Sequence, residues 1–169
     1  MFKFLEKISS QNSILIIAFK GWSDAAEAAT SAVDTIIKNY DSKKFASFEE
    51  EEFFAFARER PNIKNSKNGR IIEWPHNDLY YIDNAIDNTP LIILNGTEPH
   101  FKWKTFSKEV IDLCVSMNVS SVVTLGALLD SIPHTRGVKT QITGQHEFMP
   151  EGYTQKKISQ SKYEGPTGI

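Results

Sequence analysis

Three apolar runs of strand length, each closed by a glycine and then by polar residues, constrain this chain more than any other feature. Ile14-Leu15-Ile16-Ile17-Ala18-Phe19 runs into Gly21-Trp22-Ser23-Asp24, Leu91-Ile92-Ile93-Leu94 into Asn95-Gly96-Thr97-Glu98, and the stretch Ser120 to Leu125 into Gly126. A strand with no polar face must be covered on both sides, as in a parallel sheet flanked by helices. Helical periodicity follows the first two runs. Ala25, Ala29, Ala32, Val33, Ile36, Ile37 and Tyr40 form one stripe, which predicts a helix from Ala25 to about Tyr40. Trp103, Phe106, Val110, Leu113, Cys114 and Met117 form another, on a helix of about seventeen residues with Pro99 in its first turn, where a missing N–H costs nothing. Asp24 followed by Glu27 fits an acidic capping box for the first helix. The expected class is α/β, with a largely parallel central sheet.

Between these units the pattern is weaker. Lys44 to Phe48 reads as a short strand and the run Glu49 to Glu52 as a solvated helix start, its carboxylates pointing in different directions and so unsuited to sharing a metal. Asn62 to Gly69 reads as a polar linker, and Arg70–Trp74 with Asp78–Asp83 as a hairpin around Pro75-His76-Asn77. Val138 to Ile142 alternates like a further strand, and Gly144 to Lys157 is polar, irregular or a short helix.

If the three apolar strands are parallel, their carboxyl ends share one edge, where open α/β sheets place ligand crevices. The candidate groups of that polar edge are Ser23, Asp24, Thr97, Glu98, Asp130, His134, Thr135 and Arg136. Plainer roles compete. Asp24 and Glu98 sit where helix caps sit, His134 fits a turn, Arg136 fits an ion pair, and Trp22 and Trp103 fit packing. A hydrolase is the enzyme alternative. Gly21-Trp22-Ser23-Asp24-Ala25 lies at a strand-to-helix turn like a nucleophile elbow, and Asp130 and His134 follow in Ser, Asp, His order. Alanine replaces the second glycine of that elbow, however, and Asp130 and His134 share one loop, so the non-catalytic reading is preferred. Neither a phosphate loop nor a dinucleotide-binding glycine pattern is present, and His76, His100, His134 and His146 lack close pairing, so no cofactor and no metal are expected.

At 169 residues the chain suits one domain, 1–169, burying about 70% of its unfolded surface. A net charge of -2 argues against nucleic acid, which needs a basic surplus on one face. Cys114, the lone cysteine, rules out an internal disulfide, and the first apolar run is far too short to span a bilayer. A cytoplasmic location and no membrane contact are expected. The chain stops abruptly after Tyr163-Glu164-Gly165-Pro166-Thr167-Gly168-Ile169, which suggests a domain truncated at its C-terminus.

Six motifs in order carry a resemblance: Gly21-Trp22-Ser23-Asp24-Ala25, Phe53-Phe54 to Arg60-Pro61, Ile72-Glu73-Trp74-Pro75, Gly96-Thr97-Glu98-Pro99 with Trp103 and Phe106, Gly126 to Arg136, and Tyr163 to Gly168. Together, over about 14–169, they resemble the bacterial branch of the proteasome assembly chaperone family. The resemblance implies a three-layer α/β/α fold similar to the nucleoside phosphorylases. It also implies an ATP-independent chaperone that binds a protein partner, often self-associates into homo-oligomers, and has further helices and a strand after the point where this chain stops. The alternative is a small-ligand-binding protein or hydrolase using Ser23, Glu98, His134 and Arg136.

Overall fold

The computed structural model describes residues 2–48, 50–137, 140, 142 and 164–169. The expected strand Val138 to Ile142 and the segment Gly144 to Lys157 lie wholly or largely outside them. The chain divides into two compact units, Met1–Leu128 with Gly168–Ile169, and Leu129–Thr167.

The first unit is built on a six-stranded sheet of order β1-β3-β6-β7-β2-β8, formed by β1 Phe2–Phe4, β2 Ser13–Lys20, β3 Ser42–Phe48, β6 Asn77–Ile86, β7 Thr89–Thr97 and β8 Val119–Leu125. Its helices are α1 Ala28–Asn39 and α3 Trp103–Ser116, with a single turn α2 Glu50–Phe53 between β3 and the separate ribbon of β4 Asn62–Ser66 and β5 Gly69–Glu73. The three apolar runs became β2, β7 and β8, with β2 hydrogen-bonded in parallel to both of the others.

Alternation along these strands sorts their side chains onto two faces. In β2 and β7, Ala18, Leu91 and Ile93 meet Ala29 and Val33 of α1 on one side. On the other, Leu15, Ile17, Ile92 and Leu94 meet Phe106, Val110 and Leu113 of α3. The α/β class is as expected, and the two helices on opposite faces make three layers. Small Ala29 lets the α1 backbone approach the sheet. Phe106 anchors α3, stacked on Phe48 at 4.2 Å between centroids and edge-on to Phe53 at 5.4 Å. A register shift between Lys44 and Ala46 places Phe45 and Ala46, neighbours in sequence, in the same core.

Among the strands of the main sheet, β2 pairs in parallel with β7 and with β8, whereas the pairings β1–β3, β3–β6 and β6–β7 are antiparallel. The sheet is therefore mixed rather than largely parallel. The physical cause is the connection of β6 to β7 by only Asp87 and Asn88, at φ 46° and 63°, the left-handed pair that a tight hairpin requires. The expected hairpin around Pro75 is also corrected. Gly69–Glu73 pairs antiparallel with Asn62–Ser66, which lies in the stretch read as a linker, while β6 joins the main sheet. Proline has no N–H to offer a ladder, and Gly69 at φ 116° turns the chain instead.

Two helix starts differ from expectation. A 3-10 turn, Ala25–Glu27, precedes α1 because Ala26 and Glu27 have φ of 56° and 55°. Helix α3 begins at Trp103, after Lys102 at φ 55°, which leaves Pro99 outside the helix with its carbonyl accepting the Trp103 indole N–H.

Candidate functional site at the carboxyl edge of the parallel strands

Because β2, β7 and β8 are parallel, their glycine-terminated ends do meet at one edge. Glu98 N–H donates to Lys20 O at 2.9 Å, tying the end of β7 to that of β2. Ala127 N–H donates to Ser23 O at 2.7 Å and Ala25 N–H to Ala127 O at 3.1 Å, tying the end of β8 to the turn before α1. Gly126 permits this approach: a Cβ there would lie 3.3 Å from Ser23 O.

The side chains of this edge have separate tasks. Asp24 is buried, and its carboxylate accepts the amide of Ala29 at 2.7 Å, that of Thr30 at 3.4 Å, and the Thr30 hydroxyl. It caps α1, as its position suggested, but from beyond the 3-10 turn and without Glu27 as reciprocal partner; Glu27 reaches Lys20 instead, at 3.6 Å. Thr97 is half-buried and held through its N–H on His76 O at 3.0 Å. Ser23 and Glu98 line a cavity of about 210 Å³ with Ile17, Phe19, Thr124, Leu125, Gly126 and Ile169. Into it the amide of Ile169 donates to Glu98 Oε1 at 3.1 Å. Gly168 and Ile169 were not singled out from sequence, being some 70 positions from Glu98; the signal available was Gly168 within the Tyr163 to Gly168 motif.

Asp130, His134, Thr135 and Arg136 belong to the second unit and are exposed. Within that unit Asp130 Oδ1 accepts the Ser131 amide at 2.7 Å, and the Arg136 amide donates to Pro133 O at 2.9 Å, closing a turn that carries His134 and Thr135. Left-handed backbone near Ser23 falls at Gly21, Ala26 and Glu27, so the serine lacks the positive φ of a strained nucleophile. Burial pushes the Cys114 thiol above its usual range, which keeps it protonated and poorly nucleophilic. Among the described residues no three His, Cys, Asp or Glu side chains gather to hold a metal, and no helix is long and apolar enough to cross a membrane.

A second polar cluster lies on the α1 side of the sheet. Buried Asp78 pairs with Lys44 at 2.7 Å and faces His76 Nε2 at 3.6 Å, while the Asn95 amide donates to Asp34 of α1 at 2.7 Å. Burial, then the charges of Asp78 and Asp34, push the Tyr80 phenol up to about 12.

Comparison with known proteins places the fold and its motifs in context. A PAC2 family protein from Streptomyces avermitilis superposes with a TM-score of 0.79 at 31% identity, over 92% of this chain and 66% of that one. A proteasome-assembly chaperone homologue from Mycobacterium tuberculosis gives 0.76 at 28% identity, over 92% and 65%. An archaeal proteasome activator from Pyrococcus furiosus, at 18% identity and a TM-score of 0.55 over 73% of this chain and 49% of that one, is alike in fold alone. The chain thus spans about two thirds of the length of the first two relatives. No curated protein sequence matches it. The sequence model of the PAC2 family matches residues 18–169, nearly the whole chain, and the chain belongs to that family.

Proposed function

We propose that the protein is a non-catalytic, ATP-independent binding protein of the proteasome-assembly-chaperone type, acting in the cytoplasm through a protein partner and through self-association. The observation that carries this reading is an apolar rim on the carboxyl edge of the parallel strands. Each loop leaving that edge exposes a large apolar side chain: Trp22 is 60% exposed, Phe101 51% and Leu128 78%. An exposed aromatic or leucine gains little in water, and several on neighbouring loops mark a surface that another protein covers. The relative described as a proteasome-assembly chaperone homologue supports the same reading.

The test is co-elution with proteasome subunits of the source organism on size exclusion, alongside sedimentation of the protein alone. The double variant Trp22→Ala, Leu128→Ala is expected to weaken association by about tenfold or more while its melting temperature stays within about 2 °C of wild type, because both side chains are exposed. Equal association by both proteins removes this surface from the account.

The alternative is a small-ligand site or hydrolase, and the cavity lined by Ser23 and Glu98 supports a small-ligand site at those two residues. Thermal shifts against nucleosides, nucleotides and esters discriminate. A shift that disappears in Ser23→Ala and His134→Ala favours the ligand reading.

A further inference from the structure

Two parts of the first unit project from its main sheet at opposite edges. Strand β6 starts at Asn77, opposite Gly96 at the carboxyl end of β7, and finishes at Ile86, opposite Thr89 at the amino end. The ribbon β4–β5 leads into β6 through Trp74-Pro75-His76, so it hangs from the carboxyl edge. The turn Asp87-Asn88 lies at the amino edge. There residues 83–90 run past Ile82, where β3 last pairs with β6, and stop short of Leu91, where β2 first pairs with β7. The ten residues of β6 separate the two projections by about 30 Å.

Their chemistry is complementary. Cross-strand pairing sets Ile63 opposite Ile72 and Asn65 opposite Arg70 on one face of the ribbon, and Ile63, Arg70 and Ile72 are all exposed. Glu73 neutralises Lys64 at 2.6 Å, which leaves the charges of Lys67 and Arg70. The tip holds Asp83 and Asp87 around exposed Ile86, with no cationic residue from 83 to 90. Asp83 Oδ1 accepts the Asn84 amide at 3.1 Å and the Tyr81 hydroxyl at 3.5 Å, both neutral donors. Among the described residues none of Lys67, Arg70, Asp83 and Asp87 is in an ion pair. A two-stranded ribbon with aliphatic side chains in water is marginal by itself. A surface that covers Ile63 and Ile72 while offering carboxylates to Arg70 and Lys67 would stabilise it, and the tip has those groups. One chain cannot bring tip and ribbon together across its own sheet; two chains can.

We propose that a second copy of this chain docks its β6–β7 tip on the ribbon, with Ile86 against Ile63 and Ile72 and the carboxylates of Asp83 and Asp87 towards Arg70 and Lys67. The contact is head-to-tail, each copy using its ribbon on one neighbour and its tip on another. It rests on the self-association proposed above and assigns that association to surfaces other than the Trp22 and Leu128 rim. Sedimentation of the full chain tests it with one variant per surface, Arg70→Glu with Ile72→Glu on the ribbon and Ile86→Lys at the tip. All three side chains are exposed, so melting temperatures are expected to stay within about 2 °C of wild type. Each variant alone is expected to self-associate at least about tenfold more weakly than wild type. An equimolar mixture is expected to recover a complex, because each variant keeps the surface that the other has lost. Ile86→Lys protein that associates as wild type does, or a mixture that stays monomeric, overturns the pairing and leaves self-association through another surface standing. Wild type that sediments as a monomer at every concentration overturns both.

Discussion

Gly96 has almost no room for a side chain. It stands opposite Asn77 in the β6–β7 register, and a Cβ on it would lie 2.0 Å from Asn77 Oδ1 and 2.2 Å from the main-chain oxygen of His76. Asn77 is itself fully buried, so neither strand can give way without disturbing the other. Gly96→Ala is expected to cost about 3 kcal/mol in urea unfolding, at the upper end of ordinary overpacking; a loss below about 1 kcal/mol would mean that the strand pair relaxes freely. Tyr80 makes a second expectation at this scale. Its folded pKa, raised to about 12 against an unfolded value of 10.0, means that the folded state holds its proton more tightly. The associated stability is present below pH 10 and is lost as pH rises through about 12. Ultraviolet absorbance at alkaline pH should show one tyrosinate band delayed to that range and missing in Tyr80→Phe. The capping role of Asp24 was legible from its place before a helical stripe. The need for glycine at 96 was not, because it arises from a strand that pairs across a hairpin.

Helix α3 shows how one helix divides its apolar residues between core and surface. Phe106 is fully buried among Phe48, Phe53 and Phe19, whereas Ile111 on the same helix is 60% exposed. Phe106→Ala is expected to destabilise by about 4 kcal/mol and Ile111→Ala by less than about 1 kcal/mol, both measured by chemical denaturation. Comparable losses would mean that Ile111 is covered by another chain in solution. The buried stripe was read correctly from periodicity, since Phe106, Val110 and Leu113 are its deepest members. The antiparallel wing was harder to read. Asp87-Asn88 and Asn68-Gly69 are turn signals of two residues or so, and a local pattern cannot say which strands a turn joins. The ribbon β4–β5 lies apart from the main sheet, and among its side chains Ile63, Ile71 and Ile72 are exposed.

At the scale of the whole molecule, charge and partner choice are linked. With 19 basic and 21 acidic side chains, the protein has no excess of cations with which to release counterions from a phosphate backbone. Fluorescence anisotropy of labelled duplex DNA in about 0.15 M salt is expected to stay unchanged on titration with the protein; a salt-sensitive rise would point to a local basic face that the net charge conceals. The sequence by itself determined the α/β class, the three apolar strands, the two helical stripes and the family, because apolar periodicity and motif order are local or linear properties. Tertiary structure alone decided that the sheet is mixed, that Asp24 reaches past a 3-10 turn to cap α1, and that Gly168 and Ile169 close on Ser23 and Glu98. These depend on which strands pair and which distant segments meet, and free energy is assigned to such contacts only when the chain is folded.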